Sequence, residues 1–387
     1  MDIRICKDNE IDSVRKIWDY CFDDGVDYSN FYFENKFRAK DAVVLEYNKE
    51  LISAIHLNQH KIMLFDKIYE VSYVVGVSTL PQARGLGKMG QLMSYSLNEM
   101  YKRGQELSIL MPIDFRLYSK FGYVNTYDML NSKLDIFSLS KFKIKGEFYQ
   151  ADESKIEDLI DIYEESLKYR NAYAIRNKKY YKELIEEMKI EEGYIYINYI
   201  DSKPQAYIVY SISQGQFIVR ESYYKNIDAY KSILKFIFNH NTQCKKLNMT
   251  SVIDDPLRHI LDNPKDHEFE IKPFMMSRII NLEKLIKGIN INTDKNIVVK
   301  VIDPYILDNN GVFLIGKNKD DNKTIKRLVS DASYDIELGI DKFTTIIFSY
   351  YSPQEFALIN SVEIEMVEKL YSILSIEKKV NHINEYI

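Results

Sequence analysis

The sequence predicts an α/β protein of the α+β type, with mixed sheets shared among two or three domains. Three observations carry this expectation. The chain has 387 residues, and a single hydrophobic core stops growing near roughly 250–300 residues. Helix and strand patterns alternate through the first third and return in the same loose order in a second block. A third block follows the Lys-, Ile- and Asn-rich stretch 283–296 and shows strands before helices.

In the first block, residues 12–21 place Val14, Ile17, Trp18 and Cys21 on one helical face. Strand-like runs follow at 42–47, 51–57, 60–65 and 68–79, separated by polar breaks. The clearest helix spans 87–103, where Met89, Leu92, Met93, Ser96, Leu97 and Met100 fall at 3-4-3 spacing. Gly104, after Lys102 and Arg103, is its stop signal. Residues 107–111 read as a short buried strand ended by Pro112. The second block reads as helices at 153–169 and 178–189, strands at 194–200, 205–212 and 216–224, a helix at 228–239 and a strand at 246–253. In the third, strands at 297–302 and 311–315 join across Asp308-Asn309-Asn310, and a polar excursion occupies 317–322. A strand at 334–340 then precedes helices around 342–349, 353–358 and 362–376. No residue-level repeat accompanies the likeness of the first two blocks.

Composition narrows the function. A hydrophobic fraction of 46%, a charged fraction of 28% and a mean hydropathy of -0.31 are those of an ordinary globular chain. No apolar run approaches the ~18–20 residues that span a bilayer. The opening Met1-Asp2-Ile3-Arg4 lacks a cationic-then-apolar leader, which points to the cytoplasm. A net charge of -5 argues against nucleic acid, which calls for clustered Lys and Arg. It suits a cationic or amine-bearing substrate better. Cys6, Cys21 and Cys244 are too few and too scattered for a disulfide framework or a zinc site. His56 and His60 share a strand face without a third ligand nearby, so no metal is expected. Asp254-Asp255 and Asp320-Asp321 read as solvated turns.

The chemistry concentrates in residues 71–123. A strand (71–79) leads into Leu80-Pro81-Gln82-Ala83-Arg84-Gly85-Leu86-Gly87, then a helix, a strand (107–111), a short helix and Phe121-Gly122-Tyr123. The loop holds Gln-x-x-Gly-x-Gly. Two glycines there let backbone N–H groups point into one concavity, and the helix N-terminus behind adds partial positive charge, so the loop suits a pyrophosphate. Gly76 inside the strand marks a bulge or a close backbone approach. Such a bulge would splay this strand from 107–111 and open a slot for an extended ligand. A dinucleotide fold fits less well, because a meander without crossover helices precedes the loop.

This strand–Q/R-x-x-G-x-G/A–helix unit, with a strand and a Tyr-bearing helix after it, resembles the core of the GNAT acetyltransferases. The resemblance implies acetyl-CoA as co-substrate. Its diphosphate would lie on Gln82, Ala83, Arg84, Gly85, Leu86, Gly87 and Lys88, and its pantetheine arm along Val75, Gly76 and Val77. Ile113 and Asp114 would complete the site. Leu117-Tyr118-Ser119-Lys120-Phe121-Gly122-Tyr123 and the order of blocks look like the enhanced intracellular survival (Eis) type. That implies a catalytic GNAT domain (1–137), a second GNAT-like domain without its own loop (138–282) and a sterol-carrier-like domain (283–387). Tyr223-Tyr224-Lys225-Asn226-Ile227, before the helix at 228, has no glycine, which independently excludes a phosphate cradle there.

Acetyl transfer to an amine needs a base, stabilisation of the carbonyl oxygen, and an acid for the departing thiolate. Tyr118 is the expected acid, since a phenol of pKa near 10 stays protonated at neutral pH. Asp114 would cap its helix and Gly122 would end it. The resemblance assigns the base to the C-terminal carboxylate, here on Ile387; Asp24, His56 and Glu385 are other candidates. The backbone N–H of Val77 is a candidate oxyanion donor. Phe22, Asp24, Phe33 and Glu385 are expected to line the acceptor pocket. The expected reaction is acetylation of an amine on a polycationic small molecule, aminoglycoside-like, or of a peptide lysine. Two alternatives stand beside it: a tandem-GNAT enzyme using another acyl donor, and a non-catalytic CoA- or lipid-binding protein. Eis-type relatives form hexamers, so a homo-oligomer is expected by resemblance.

Overall fold

The computed structural model describes residues 1–291, 293–317 and 323–386. The chain divides into two units, one of Met1–Tyr127 with Phe274–Glu385, the other of Asp128–Pro273 with Tyr386.

The first unit opens with β1 (Asp2–Ile5), α1 (Ile11–Cys21) and α2 (Val26–Phe31), then β2 (Ala42–Tyr47), β3 (Glu50–Leu64), β4 (Lys67–Thr79), α3 (Lys88–Lys102), β5 (Leu107–Leu110) and α4 (Phe115–Ser119). β1 to β4 form an antiparallel meander and β5 adds in parallel to β4. Alternation along the strands sends residues to two opposite cores. Val43, Leu45, Ile55 and Leu57 meet Leu92, Met93, Leu97 and Met100 of α3. Ala42, Val44 and Ala54 meet Val14 and Trp18 of α1. The runs expected at 51–57 and 60–65 are one strand: Asn58 and Gln59, read as a polar break, simply continue the ladder to β4. Its hairpin turns on Phe65 and Asp66, both at positive φ.

In the second unit, β6 (Val124–Asp135) enters and is followed by β7 (Glu147–Gln150), α5 (Ile156–Ser166), a two-residue β8 (Tyr173–Ala174), α6 (Lys178–Ile190), β9 (Tyr194–Ile200), β10 (Lys203–Ser213), β11 (Gln216–Tyr224), α7 (Ile227–Phe238), β12 (Lys246–Ser251) and α8 (Leu257–Ile260). The sheet runs β7-β9-β10-β11-β12, with β12 joined to β6 from Leu130 to Asp135. α7 covers one face. α5 and α6 cover the other. Asp254 sits in an exposed turn against Arg170, but Asp255 does not fit the solvated reading. It is 2% exposed and accepts hydrogen bonds from the Tyr230 hydroxyl (2.6 Å) and the Leu257 amide (2.8 Å). Burial raises its carboxyl to about 6. Asp320-Asp321 lies outside the described residues.

β13 (Glu268–Ile279) carries the chain back, and its end pairs antiparallel with β5. After α9 (Leu282–Lys287) come β14 (Asn296–Ile302), β15 (Gly311–Lys317), β16 (Lys323–Arg327) and β17 (Ile336–Gly339), then α10 (Ile340–Ile347), α11 (Pro353–Asn360) and α12 (Ile364–Ile373). The small sheet has the order β16-β15-β14-β17. The strand expected at 334–340 is shorter because Ile340 already opens α10. β16 was not foreseen; its Lys-Thr-Ile-Lys-Arg carries one apolar residue, a weak strand signal.

Arg278 and Asp303, both fully buried, tie this C-terminal segment to α4. The Arg278 guanidinium donates to Asp303 (2.7 Å) and to the Phe121 carbonyl (2.6 Å). Asp303 also accepts from the Tyr305 and Ile306 amides and from the Asn309 side chain. A buried pair this fully bonded fixes one arrangement of the groups it joins.

Candidate active site

β4 and β5 pair from Val71 with Leu107 to Val74 with Leu110, and no further. β4 continues to Thr79 beside β3 alone. Between the pairs His56–Val75 and Ala54–Ser78, Gly76 and Val77 both face Ile55, which is the expected bulge. Gly76 has φ +57°, and a Cβ there would lie 2.8 Å from both His56 Nδ1 and Trp18 Cζ3. Only glycine lets the strand approach α1 this closely while turning off β5.

The loop after β4 begins with a tight turn, Pro81–Ala83, in which the Ala83 and Arg84 amides donate to Leu80 and Pro81. Ala83 packs into the α3 core, and the Arg84 side chain turns back to the Thr79 carbonyl (2.9 Å). Gln82 and Leu86 are exposed and Lys88 is half-buried. From residue 85 to 89, five successive amides donate to no group among the described residues. Gly85 and Gly87 have positive φ, and Cβ atoms there would meet nothing within 4 Å. Gly87 is also the N-cap of the 15-residue α3 and offers no side chain to its first turn. Unused N–H donors, a helix dipole and open space together fit a diphosphate.

α4 places Tyr118. Asp114 caps the helix by accepting from the Arg116 amide (2.9 Å), and its ion pair with Arg116 holds its carboxyl down at about 2. Ile113 beside it is exposed. Tyr118 packs in one cluster with Val77, Ala83 and Leu92. Burial raises its hydroxyl to about 12, and no described group hydrogen-bonds it. Gly122, at φ +82°, ends the segment under Arg278 and Ile340, where a Cβ would come within 3.0 Å of Ile340.

Across the bulge lies an aromatic group. Trp18 stacks on Tyr32 at 4.3 Å and on His56 at 5.5 Å, with Phe22 tilted at 4.6 Å and Phe33 edge-on at 5.9 Å. A π-helical turn, Tyr32–Lys36, sets Tyr32 and Phe33 in place. His56 Nδ1 shares a hydrogen bond with the Tyr32 hydroxyl (2.8 Å), and burial lowers the ring to about 3, which makes it a weak base. Asp24 sits at the exposed edge. Partial loss of hydration raises its carboxyl, against the pull of the Trp18 indole N–H. That N–H is buried and falls short of hydrogen-bond geometry.

The tail at 381–385 is buried throughout. Asn381 donates to the Thr126 (3.0 Å) and Phe348 (2.7 Å) carbonyls, and the Tyr73 hydroxyl of β4 donates to the Glu385 carbonyl (2.9 Å). Ile387 lies outside the described residues. Thus Gly76 adjoins the aromatic group that includes Phe22 and Phe33, and Tyr118 belongs to the hydrophobic cluster on whose edge Val77 lies. Sequence reasoning read Trp18 only as core and passed over Tyr32, Tyr73 and Arg278. Arg278 alone left a signal, a single charge within the apolar run 274–280.

The second unit repeats the strand plan without the site. β11 pairs in parallel with β12 only as far as Val219–Met249, and β11 bulges against β10 at Arg220. Next to that bulge, buried Glu221 takes a two-pronged bond from Arg176 (2.9 Å each) and one from the Tyr207 hydroxyl (3.0 Å). The Arg176 guanidinium lies over Tyr163 and Tyr180. Asn226 caps α7 by accepting from the Ala229 amide, so the helix end has a side chain where α3 has none.

A parted parallel strand pair, a glycine loop with unused amides and a tyrosine on the short helix that follows define an acyltransferase of the GNAT class. Residues 2–125 match the Acetyltransferase (GNAT) domain, residues 172–279 a second Acetyltransferase (GNAT) domain, and residues 282–380 the Sterol carrier protein domain. The chain belongs to the GNAT acetyltransferases, with two GNAT domains followed by a sterol carrier domain. No curated protein sequence matches it. Among solved structures, it is similar to a probable N-acyltransferase from Enterococcus faecalis (17% identity, TM-score 0.88, covering 100% of this chain and 99% of that one). A GCN5-related N-acetyltransferase from Anabaena variabilis gives 17% and 0.86, with 100% of both chains covered. Eis1 from Mycobacterium abscessus gives 14% and 0.77, again with 100% of both. At these identities the likeness is one of fold.

Proposed function

We propose that the protein is an acetyl-CoA-dependent N-acetyltransferase acting in the cytoplasm on an amine of a polycationic small molecule or a peptide lysine. The observation that carries this is the parting of β4 from β5 next to five unused amides at residues 85–89. Acetyl-CoA supplies the activated thioester. The loop amides and the N-terminus of α3 hold the diphosphate, and the open edge of β4 at Val75, Gly76 and Val77 holds the pantetheine arm. Tyr118, whose burial keeps its proton far above neutral pH, donates to the departing sulfur. Phe22, Phe33 and Asp24 receive the cationic acceptor, with the Asp24 carboxylate and ring faces both favouring positive charge. The buried tail, with Glu385 anchored by Tyr73, supports a base at the C-terminal carboxylate on Ile387.

Thiol release from acetyl-CoA, assayed across aminoglycosides, polyamines and lysine peptides, tests the reading. Turnover with at least one cationic amine is expected; no turnover together with no acetyl-CoA binding would refute it. Adding a few residues after Ile387 should depress kcat. Unchanged activity in that variant would remove the carboxylate from the mechanism and leave Asp24 and Glu385 as the remaining candidate bases.

A further inference from the structure

The second unit, which has no glycine loop before α7, carries a different binding feature. Residues 141–145, Lys-Phe-Lys-Ile-Lys, link a short 3-10 helix to β7. Together with the first turns of α7 and Ile260 they line a cleft of about 500 Å³. Its wall holds four ammonium groups, Lys141, Lys143, Lys145 and Lys231, against one carboxylate, Asp228. The chain as a whole has a net charge of -5. Such local reversal focuses positive potential over one concavity.

The lysine segment is held in place. The Lys145 amide donates to the buried Ser232 hydroxyl of α7 (2.9 Å), and the Asn198 side chain donates to the Lys145 carbonyl (3.0 Å). Gly146, at φ +74°, then turns the chain so closely over β9 that a Cβ would overlap the Tyr199 carbonyl. Two of the lysines already have partners: Lys145 pairs with Asp228 (2.6 Å) and Lys141 with Asp262. Lys143 and Lys231 make no hydrogen bond or ion pair with any described residue, and Lys231 acts on Asp228 only at longer range. Phe142 and Ile260 supply an apolar floor between the charges.

We propose that this cleft binds a small organic phosphate, with its phosphate on Lys143 and Lys231 and its ring or chain on Phe142 and Ile260. Lysine ammonium groups on a fixed backbone take phosphate as point charges. The apolar floor separates such a ligand from a bare inorganic anion. The site is separate from the acyl-CoA loop and does not depend on the activity proposed above.

The test is calorimetric titration of the full-length protein, saturated with CoA, using phenyl phosphate and, separately, inorganic phosphate. Phenyl phosphate should bind more tightly than inorganic phosphate and weaken with added salt. The Lys143→Glu/Lys231→Glu variant should lose at least about tenfold in affinity, because two charge-assisted bonds go. Lys143→Arg/Lys231→Arg should retain binding, and both variants should melt as the parent does. No phenyl phosphate binding, or equal binding by the parent and the Glu variant, would overturn the proposal. Equal affinity for the two probes would overturn the role of the apolar floor and, with it, the organic ligand.

Discussion

Tyr118 and Asp255 show how burial turns ordinary side chains to opposite purposes. Burial raises the Tyr118 hydroxyl to about 12, so it remains an acid through the whole neutral range. Tyr118→Phe should lower kcat by roughly 10²–10⁴-fold with little change in thermal stability, since no described group bonds the lost hydroxyl. Steady-state kinetics beside a melting curve checks both halves. Asp255 is a cost to folding at neutral pH. Its folded carboxyl, raised to about 6, lies above the ordinary aspartate value of 3.8, so the folded state binds the proton more tightly. The destabilisation is absent below the unfolded value, grows as pH rises through 4 to 6, and is complete above the folded one. It amounts to as much as about 3 kcal/mol. Asp255→Asn keeps the acceptor oxygen that Tyr230 and Leu257 share. That variant should melt higher than the parent at pH 8, with the advantage vanishing near pH 4.

Among the elements, β4 and its loop depend most on single residues. Gly76→Ala would force a Cβ into His56 and Trp18 at positive φ, and should cost about 1–3 kcal/mol. It should also disturb the acceptor side, so KM for the amine should rise. Gly85→Ala and Gly87→Ala meet no neighbours and should each cost only about 1–2 kcal/mol through left-handed strain. Their main effect should be a higher KM for acetyl-CoA, measured with the amine saturating. Much of this was legible in the sequence. A glycine weakens a strand interior, so Gly76 already pointed to a bulge, and the glycines between strand and helix pointed to exposed amides. α3 announced itself by its 3-4-3 face. What stayed hidden depends on contacts between distant segments. Nothing local marks Tyr73 as the donor to Glu385, or shows that Trp18, a core residue, also adjoins Gly76. The π-helical turn at Tyr32–Lys36 has no periodicity that a helix or strand template detects. Asn58 and Gln59 read as a break because polar residues inside a strand look like a turn until their partners on β4 are known.

At the scale of the whole molecule, the N- and C-terminal segments form one unit through Arg278 and Asp303. Arg278→Met should leave Asp303 buried and uncompensated and destabilise the protein by about 3–5 kcal/mol. The pair Arg278→Met with Asp303→Leu should recover a large part of that, as a double-mutant cycle by denaturant titration would show. Because Arg278 also holds the Phe121 carbonyl beside α4, the double variant should keep its fold yet lose kcat. The two GNAT domains share a strand plan, but the run of five unused amides on a glycine loop belongs to the first; in the second, Asn226 caps the start of α7 and Glu221 and Arg176 form a buried ion pair beside the bulge. The whole functional assignment therefore comes down to five amide protons. Their exchange rates, followed residue by residue by NMR, give the most direct test. Adding acetyl-CoA should slow exchange at residues 85–89 while leaving the first turn of α7 unchanged. Exchange at those five positions as fast with saturating acetyl-CoA as without it would contradict the account.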